Sequence, residues 1–464
     1  MDGDSRPAPR RQERLLAILR RPLDRFLPAG GALISVLFFG SYVMGLLRDR
    51  LFARTFGAGL ELDAYNAAFT LPELLLDVLV ASGLAAPFIP IFLQLRQRGD
   101  EPANEFGQSI FTGAVVIMTA VAVALFILAP QITSLIAPRY EGAQRETYVA
   151  LFRIMLLTPI LFAASLTLGE VLLAERRFLA YGSASLLYNA GIVMGTLALS
   201  GPFGIFGAAW GAVLGAMLHL AVRLWGLRGS TYRVRLRFRD SASVRTFMRL
   251  MLPKMASHPV EPMTFLFFTA IATGLGAGSV SAVSFARNFQ SVPVTVIGVA
   301  LALAAFPALS ASWAAGDRPG FMRGLARDTL TITVLTTGAA LVLYLLSELV
   351  IRLFLGGGEF DAADVTLTAM TLSAFAISIP FESLTHLLSR AIYATRHTVL
   401  QVISSLTGFG VTVAATLWLL EPLGVTALPI GFAIGSAVKV ILLAASLAIR
   451  LRRFGAEAGA AAGN

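Results

Sequence analysis

Residues 107–130 read GQSIFTGAVVIMTAVAVALFILAP, a run without a single charged side chain. A helix that crosses a bilayer needs about 20 consecutive apolar residues, because its rise must cover a hydrocarbon core about 30 Å thick. This stretch is long enough, and the same pattern recurs along the chain. Apolar segments lie at roughly 29–53, 62–95, 107–130, 148–174, 181–200 and 205–227. A basic, polar stretch at 228–247 interrupts them. Six more follow at roughly 247–275, 279–314, 326–355, 364–394, 398–420 and 424–450. Twelve crossings with short loops take up nearly the whole of the 464 residues and leave no room for a soluble domain.

Composition supports this reading. The chain is 56% hydrophobic and only 14% charged, with a mean hydropathy of +0.75, whereas soluble domains carry about 25% charged residues. A water-soluble fold of this length could not hide so much apolar surface. The fold class expected is an all-α polytopic membrane protein of about twelve transmembrane helices. No cleavable leader is expected, because the first apolar run is long and lacks a small-residue cleavage site.

The loop charges test the count. One side carries Arg96 and Arg98, Arg176 and Arg177, the six arginines from Arg228 to Arg245, then Arg318, Arg323, Arg327, Arg396, Arg450, Arg452 and Arg453. The opposite loops carry little beyond Arg54, Arg139 and Arg145. The positive-inside rule places the arginine-rich side, and with it both termini, in the cytoplasm. It also explains the net charge of +10 without nucleic acid.

The segments divide into two halves with matching features. Each half leaves its first span through glycines, FGAG at 56–59 and LGAG at 275–278. Each has prolines in its second span (Pro72, Pro87 and Pro90; Pro293 and Pro307) and one in its fourth (Pro159; Pro380). Two six-helix lobes related by a parallel pseudo-two-fold repeat around a central cavity are therefore expected. The division is a basic N-terminal segment at 1–28, a first lobe at 29–227, a linker at 228–247, a second lobe at 248–453 and a disordered tail at 454–464.

The chain has no cysteine, which excludes disulfides, thiolate metal sites and cysteine nucleophiles. The histidines are scattered, and there is no nucleotide-binding loop, metal cluster or hydrolytic triad. A transporter is expected rather than an enzyme, driven by an ion gradient, by membrane potential or downhill.

Ionisable residues inside apolar runs are costly and are functional candidates by default. Arg48, Asp49 and Arg50 close the first span, and Asp63 opens the second, where Glu73 and Asp77 follow. Arg153 and Glu170 lie in the fourth span, Lys254 and Glu261 in the seventh, and Arg287 in the eighth. Glu382, His386 and Arg390 in the tenth are four residues apart and share one helix face. Arg50, Arg54 and Lys254 lie close enough to span ends to snorkel to the interface.

LLRDRLFARTFGAGLELDAYNAAFTLPELL at 46–75, with PFIPIF at 87–92, resembles the first two spans of the MviN/MurJ family of lipid II flippases, in the multidrug/oligosaccharidyl-lipid/polysaccharide exporter superfamily. GSVSAVSFARNFQSVPVTVIGVALALAAFPALSASWAAGD at 278–317 resembles its seventh-to-eighth-span region, and SRAIYATRHTVLQV at 389–402 its tenth-span signature. The likeness covers about residues 30–453. Members commonly have fourteen spans, against the twelve read here.

The resemblance implies alternating access that moves an undecaprenyl-pyrophosphate-linked precursor between leaflets of the bacterial inner membrane, with a monomer as the working unit and lipids as its surroundings. It makes Arg48 a cavity arginine and Asp63 the family's acid. Arg287, Asn288, Arg390 and Arg153 join them as candidate substrate-binding residues. Glu170, Glu261, Glu382 and His386 are candidates for lining the cavity or for coupling. This chain also departs from the pattern: Tyr42, Leu76 and Asn288 stand where the family has arginines, and Ser291 where it has a glutamate. Those losses keep open an exporter of another lipid-linked saccharide or amphiphile, or a degenerate non-transporting paralogue. No metal or cofactor is expected. Some members bind sodium through spans seven, eleven and twelve, which here offer Glu261, Thr407, Thr412 and Ser436. Coupling to sodium, to protons or to membrane potential alone stays open.

Overall fold

A computed structural model describes residues 29–78, 84–239, 241–257, 260–395 and 399–462. The expected N-terminal segment 1–28 lies outside the described residues, as does the side chain of Lys254. Among the described residues the regular elements are helices, apart from an isolated bridge between Gly357 and Phe360.

The first half holds α1 (Ala29–Phe56), α2 (Leu60–Leu76), α3 (Ala85–Arg96), α4 (Asp100–Ile127), α5 (Ala129–Ile136), α6 (Gly142–Met155), α7 (Leu157–Ala174), α8 (Phe178–Phe203) and α9 (Ile205–Gly226). The second holds α10 (Ala242–Ser257), α11 (Val260–Ala272), α12 (Ser279–Pro293), α13 (Ala300–Ala314), α14 (Arg318–Phe354), α15 (Ala362–Ala376), α16 (Ile379–Ala394), α17 (Val399–Leu423) and α18 (Ala427–Ala462). Eight helical runs among the described residues are long and apolar enough to cross a membrane, and α15 with α16, bent by 41°, make a ninth. One of the eight, Val399–Leu451, contains two helices, α17 and α18.

Several expected spans are broken rather than straight. The second is α2 and α3, and the seventh is α10 and α11. The eighth passes through a π-helical stretch at Val294–Val299 between α12 and α13. Pro293 explains that break: it has no N–H to continue the ladder and its ring crowds the preceding turn. Gly298 in the π stretch lets α16 come close, since a Cβ there would lie 2.6 Å from Ser383 Cβ.

The buried apolar residues divide in a way the sequence did not reveal. At the arginine-poor end one core is shared by both halves, with Phe52, Tyr65, Phe152, Phe268, Phe360 and Phe432 among its members. At the arginine-rich end there are two separate cores. Phe88, Phe92, Phe106 and Leu168 belong to one, and Leu309, Phe321, Leu387 and Leu443 to the other. The halves thus join at one end and part at the other, which leaves a wedge between them.

Two expected boundaries move. The linker ends at Ala242, where α10 begins, and Val244 and Phe247 of α10 are buried in the first half's core. By packing, α10 belongs with the first half although it follows the linker. Helix α18 runs on to Ala462, through most of the expected disordered tail.

Within the first half, α8 and α9 meet along small residues. Gly191 and Gly195 face Gly215 and Gly211, and a Cβ on Gly195 would lie 2.2 Å from Gly211 Cα. In a membrane, where lipid solvates apolar side chains as well as a neighbouring helix does, this backbone approach supplies the packing gain. Gly195→Leu should cost roughly 1–3 kcal/mol or more by overpacking and lower the thermal unfolding midpoint in detergent. Gly201→Ala, with nothing within 4 Å of its Cβ, should not. Equal midpoints for the two variants would refute the close-packing account.

Candidate functional site

The wedge encloses a cavity of about 830 Å³ whose walls come from both halves. Helix α2 contributes Asn66, Thr70 and Glu73, and Asp77 follows at its C-terminal end. The opposite wall is built from α11, α12, α16, α17 and α18, and carries Glu261, Arg287, Asn288, Glu382, His386, Arg390 and Lys439. The four-residue spacing of Glu382, His386 and Arg390 turns all three inward from α16.

Arg287 stands at the centre of a compact ion network. Its guanidinium lies 3.0 Å from Glu261 Oε1 and 3.3 Å from Glu382 Oε1, and 4.0 Å from the centroid of the Phe265 ring. Gln290 Nε2 donates to Glu382 Oε2 at 2.7 Å and to the Ser378 hydroxyl at 3.2 Å. Two carboxylates on one guanidinium leave Arg287 with little free positive charge. Arg390 and Lys439 differ: neither makes a hydrogen bond or close ion pair among the described residues. Lys439 is within electrostatic reach of the Glu261 and Glu382 carboxylates, so Arg390 is the cavity's uncommitted cation.

Other expected site residues lie elsewhere. Arg48 is outside the cavity wall and is neutralised by Asp49 at 2.7 Å. It also donates to Asn189 at 3.2 Å. Asp49 in turn accepts from Asn288 at 2.8 Å, which links Arg48 to the cavity wall, and Arg48 also lies within electrostatic reach of Glu73. Arg153 faces away, stacked on Phe126 at 4.9 Å and donating to the Phe126 carbonyl. Glu170 is buried near Arg223 between α7 and α9, beside a Ser165–His219 hydrogen bond of 2.7 Å.

Asp63 has a different task. It is 2% exposed and caps α12 from across the interface. Its carboxylate accepts from Gly278 N–H at 2.7 Å, Ser281 N–H at 2.7 Å and the Ser281 hydroxyl at 2.6 Å. Around it the two halves interlock further. Asp364 Oδ2 accepts from Ala58 N–H at 2.9 Å, and the Arg54 carbonyl accepts from Glu359 N–H at 3.0 Å. Arg50 donates to the carbonyls of Leu353 and Phe354 at 2.8 and 3.0 Å, and Arg54 to that of Gly356. These arginines do not snorkel; they satisfy orphan carbonyls at the end of α14, where the helix dipole favours a cation. The two glycine-rich exits meet here. Gly278 adopts φ +85°, and a Cβ on it would lie 2.4 Å from the Ala58 carbonyl oxygen.

The family model described as lipid II flippase MurJ matches residues 52–460. The chain belongs to the MurJ family. The probable lipid II flippase MurJ of Rhizobium tropici is 25% identical over 387 residues, covering 81% of this chain and 71% of that protein. A solved structure of lipid II flippase MurJ in an inward closed conformation matches with a TM-score of 0.78 at 22% identity, over 90% of this chain and 87% of that one. An inward-facing multidrug resistance MATE family transporter of the MOP superfamily matches at 0.76 and 16% identity, over 89% and 95%. At these identities the structural likeness is one of fold.

The sequence reading gave Lys439 no part, although an ionisable residue inside the apolar run 424–450 carried the same signal as Glu170. The network yields a contrast in stability. Glu382 is buried, so Glu382→Ala leaves Arg287 and Gln290 short of an acceptor and should cost roughly 3–5 kcal/mol. The Glu261 side chain is 56% exposed, so Glu261→Ala should cost roughly 0–1 kcal/mol. Unfolding of the two variants in detergent separates these values, and equal losses would contradict the network as described.

Proposed function

We propose that this chain is a lipid II flippase, which carries a polyprenyl-pyrophosphate-linked headgroup from the cytoplasmic to the outer leaflet by alternating access. The observation that carries the reading is Arg390, a cation without an acid partner among the described residues, which shares the wall of a polar cavity between membrane helices with a second cation, Lys439. A pyrophosphate leaving water needs cationic partners. Guanidinium offers paired donors to phosphate oxygens, and ammonium a compact charge. Membership of the MurJ family and the wedge geometry support the same reading.

The proposal keeps the twelve-span, two-lobe topology, with both termini in the cytoplasm and the arginine-rich ends of the helices inside. The cavity then faces the cytoplasm, where the cores are separate, and is closed outside, where they merge. One chain supplies both walls, which supports a monomer as the working unit. Transport proceeds by the joined end parting while the separated ends close. Substrate binding shifts that balance only by its differential affinity for the two states.

The acid-bearing wall of α2, with Glu73 and Asp77 beside Leu76 where the family has an arginine, favours a second reading: a flippase for another lipid-linked saccharide. Complementation separates the two. In cells depleted of their own lipid II flippase, the wild-type chain should restore growth. The double variant Arg390→Ala with Lys439→Ala should not, at equal expression and insertion, and Arg153→Ala should. Failure of the wild type would favour the second reading, and rescue by the double variant would remove the phosphate assignment.

A further inference from the structure

We propose that residues 232–239 form a strap that binds anionic phospholipid headgroups of the cytoplasmic leaflet. The proposal rests on the membrane orientation given above.

The segment reads YRVRLRFR and belongs to neither a helix nor a strand. It lies along α4, held by a polar stripe of that helix. Asn104 donates to the Thr231 carbonyl and accepts from Arg233 N–H, both at 3.0 Å. Gln108 donates to the Arg233 carbonyl at 2.7 Å. The hydroxyl of Thr112 bonds both backbone groups of Arg237, at 3.1 and 2.9 Å, and that of Ser109 accepts from Arg239 N–H at 3.0 Å while donating to the Glu105 carbonyl at 2.7 Å. Tyr232 anchors the near end, buried against Phe92, and Gly107 leaves room for its ring.

This ladder matters because of its depth. Helix α4 has 28 residues, a length of roughly 42 Å at the α-helical rise, whereas the hydrocarbon core is about 30 Å thick. Its outward apolar residues Val116, Ile117, Val123, Phe126 and Ile127 mark the part in hydrocarbon. Asn104 and Gln108 then sit among headgroups, and Thr112 at the hydrocarbon edge. Irregular backbone at that level persists only if its N–H and C=O groups are satisfied by protein or water. The side chains of α4 do this for Arg233, for Arg237 and for the Arg239 N–H, and the backbone at 234–236 and 238 is left to headgroups and interfacial water.

What the strap presents outward fits an interface. Leu236 is 73% exposed and Phe238 60%, with the Phe238 ring beside Gly113 near the hydrocarbon edge. Arg237 and Arg239 are held by Glu105. Arg233 and Arg235 are exposed, and their side chains make no hydrogen bond or ion pair among the described residues. Apolar side chains at the acyl boundary with free guanidinium groups above them match an anionic lipid surface. A soluble protein could not reach side chains at that depth, which decides between the two occupants.

The chain has no cysteine, so Leu236→Cys provides a unique thiol for an environment-sensitive dye. The labelled full chain is placed in nanodiscs of phosphatidylcholine, with and without phosphatidylglycerol, and quenched with acrylamide, which is neutral. Protection should rise several-fold with phosphatidylglycerol. Arg233→Gln with Arg235→Gln should remove that rise, and Arg153→Gln should leave it intact. Equal quenching in the two lipids would overturn the proposal, as would a rise that persists in the double variant. Protection gained only on adding a cytosolic extract would assign the strap to a soluble partner and overturn it too.

Discussion

The carboxylate of Asp63 sits against the N-terminus of α12, where a helix has N–H groups without intrahelical partners and a positive dipole end. Burying a charge is expensive unless it is fully hydrogen-bonded. Here three donors, at 2.6 to 2.7 Å, meet that condition. Because the acid belongs to the first half and the helix to the second, the interaction works only while the two halves are in register. The surrounding backbone bonds from Ala58 to Asp364 and from Glu359 to Arg54 have the same character. All are polar, and all can be exchanged for water when the end opens. A shared core with a polar rim suits a closure that must release.

The opposite end follows from this. With the halves tied at the arginine-poor end, their arginine-rich ends are held by separate cores, and the wedge between them exposes the polar faces of α2, α12 and α16. The charge inside is uneven. Arg287 is balanced by Glu261 and Glu382, Arg48 by Asp49, and the first half's wall is acidic. On the second half's wall Lys439 also lies within electrostatic reach of Glu261 and Glu382, and Arg390 is the cation without a carboxylate partner among the described residues.

Much of this was legible in the sequence, for physical reasons. Apolar runs such as 107–130 cannot be anything but lipid-solvated or deeply buried helices. Four-residue spacing put Glu382, His386 and Arg390 on one face. What stayed hidden depended on partners distant in sequence. Nothing near Asp63 announces Ser281 as its partner, and nothing near Arg50 announces the carbonyls of Leu353 and Phe354. Helix α10 follows a basic linker and so reads as part of the second half, yet Phe247 packs beside Phe106. Arg48 and Arg153 carried the same intramembrane signal as Arg390. A charge in an apolar run must find a partner, and only the fold decides whether that partner is an acid, a ring or a substrate.

The account turns on the closure at the arginine-poor end, and spin-label distances between the halves test it directly. One pair would sit at the outer ends (Glu61→Cys with Ala277→Cys) and one at the inner ends (Gln97→Cys with Arg318→Cys). The wild type should give a short, narrow distance outside and a long one inside. Asp63→Ala should lengthen and broaden the outer distance while the inner one shortens. Distributions that do not change on removing the Asp63 carboxylate would contradict the claim that it holds the halves closed.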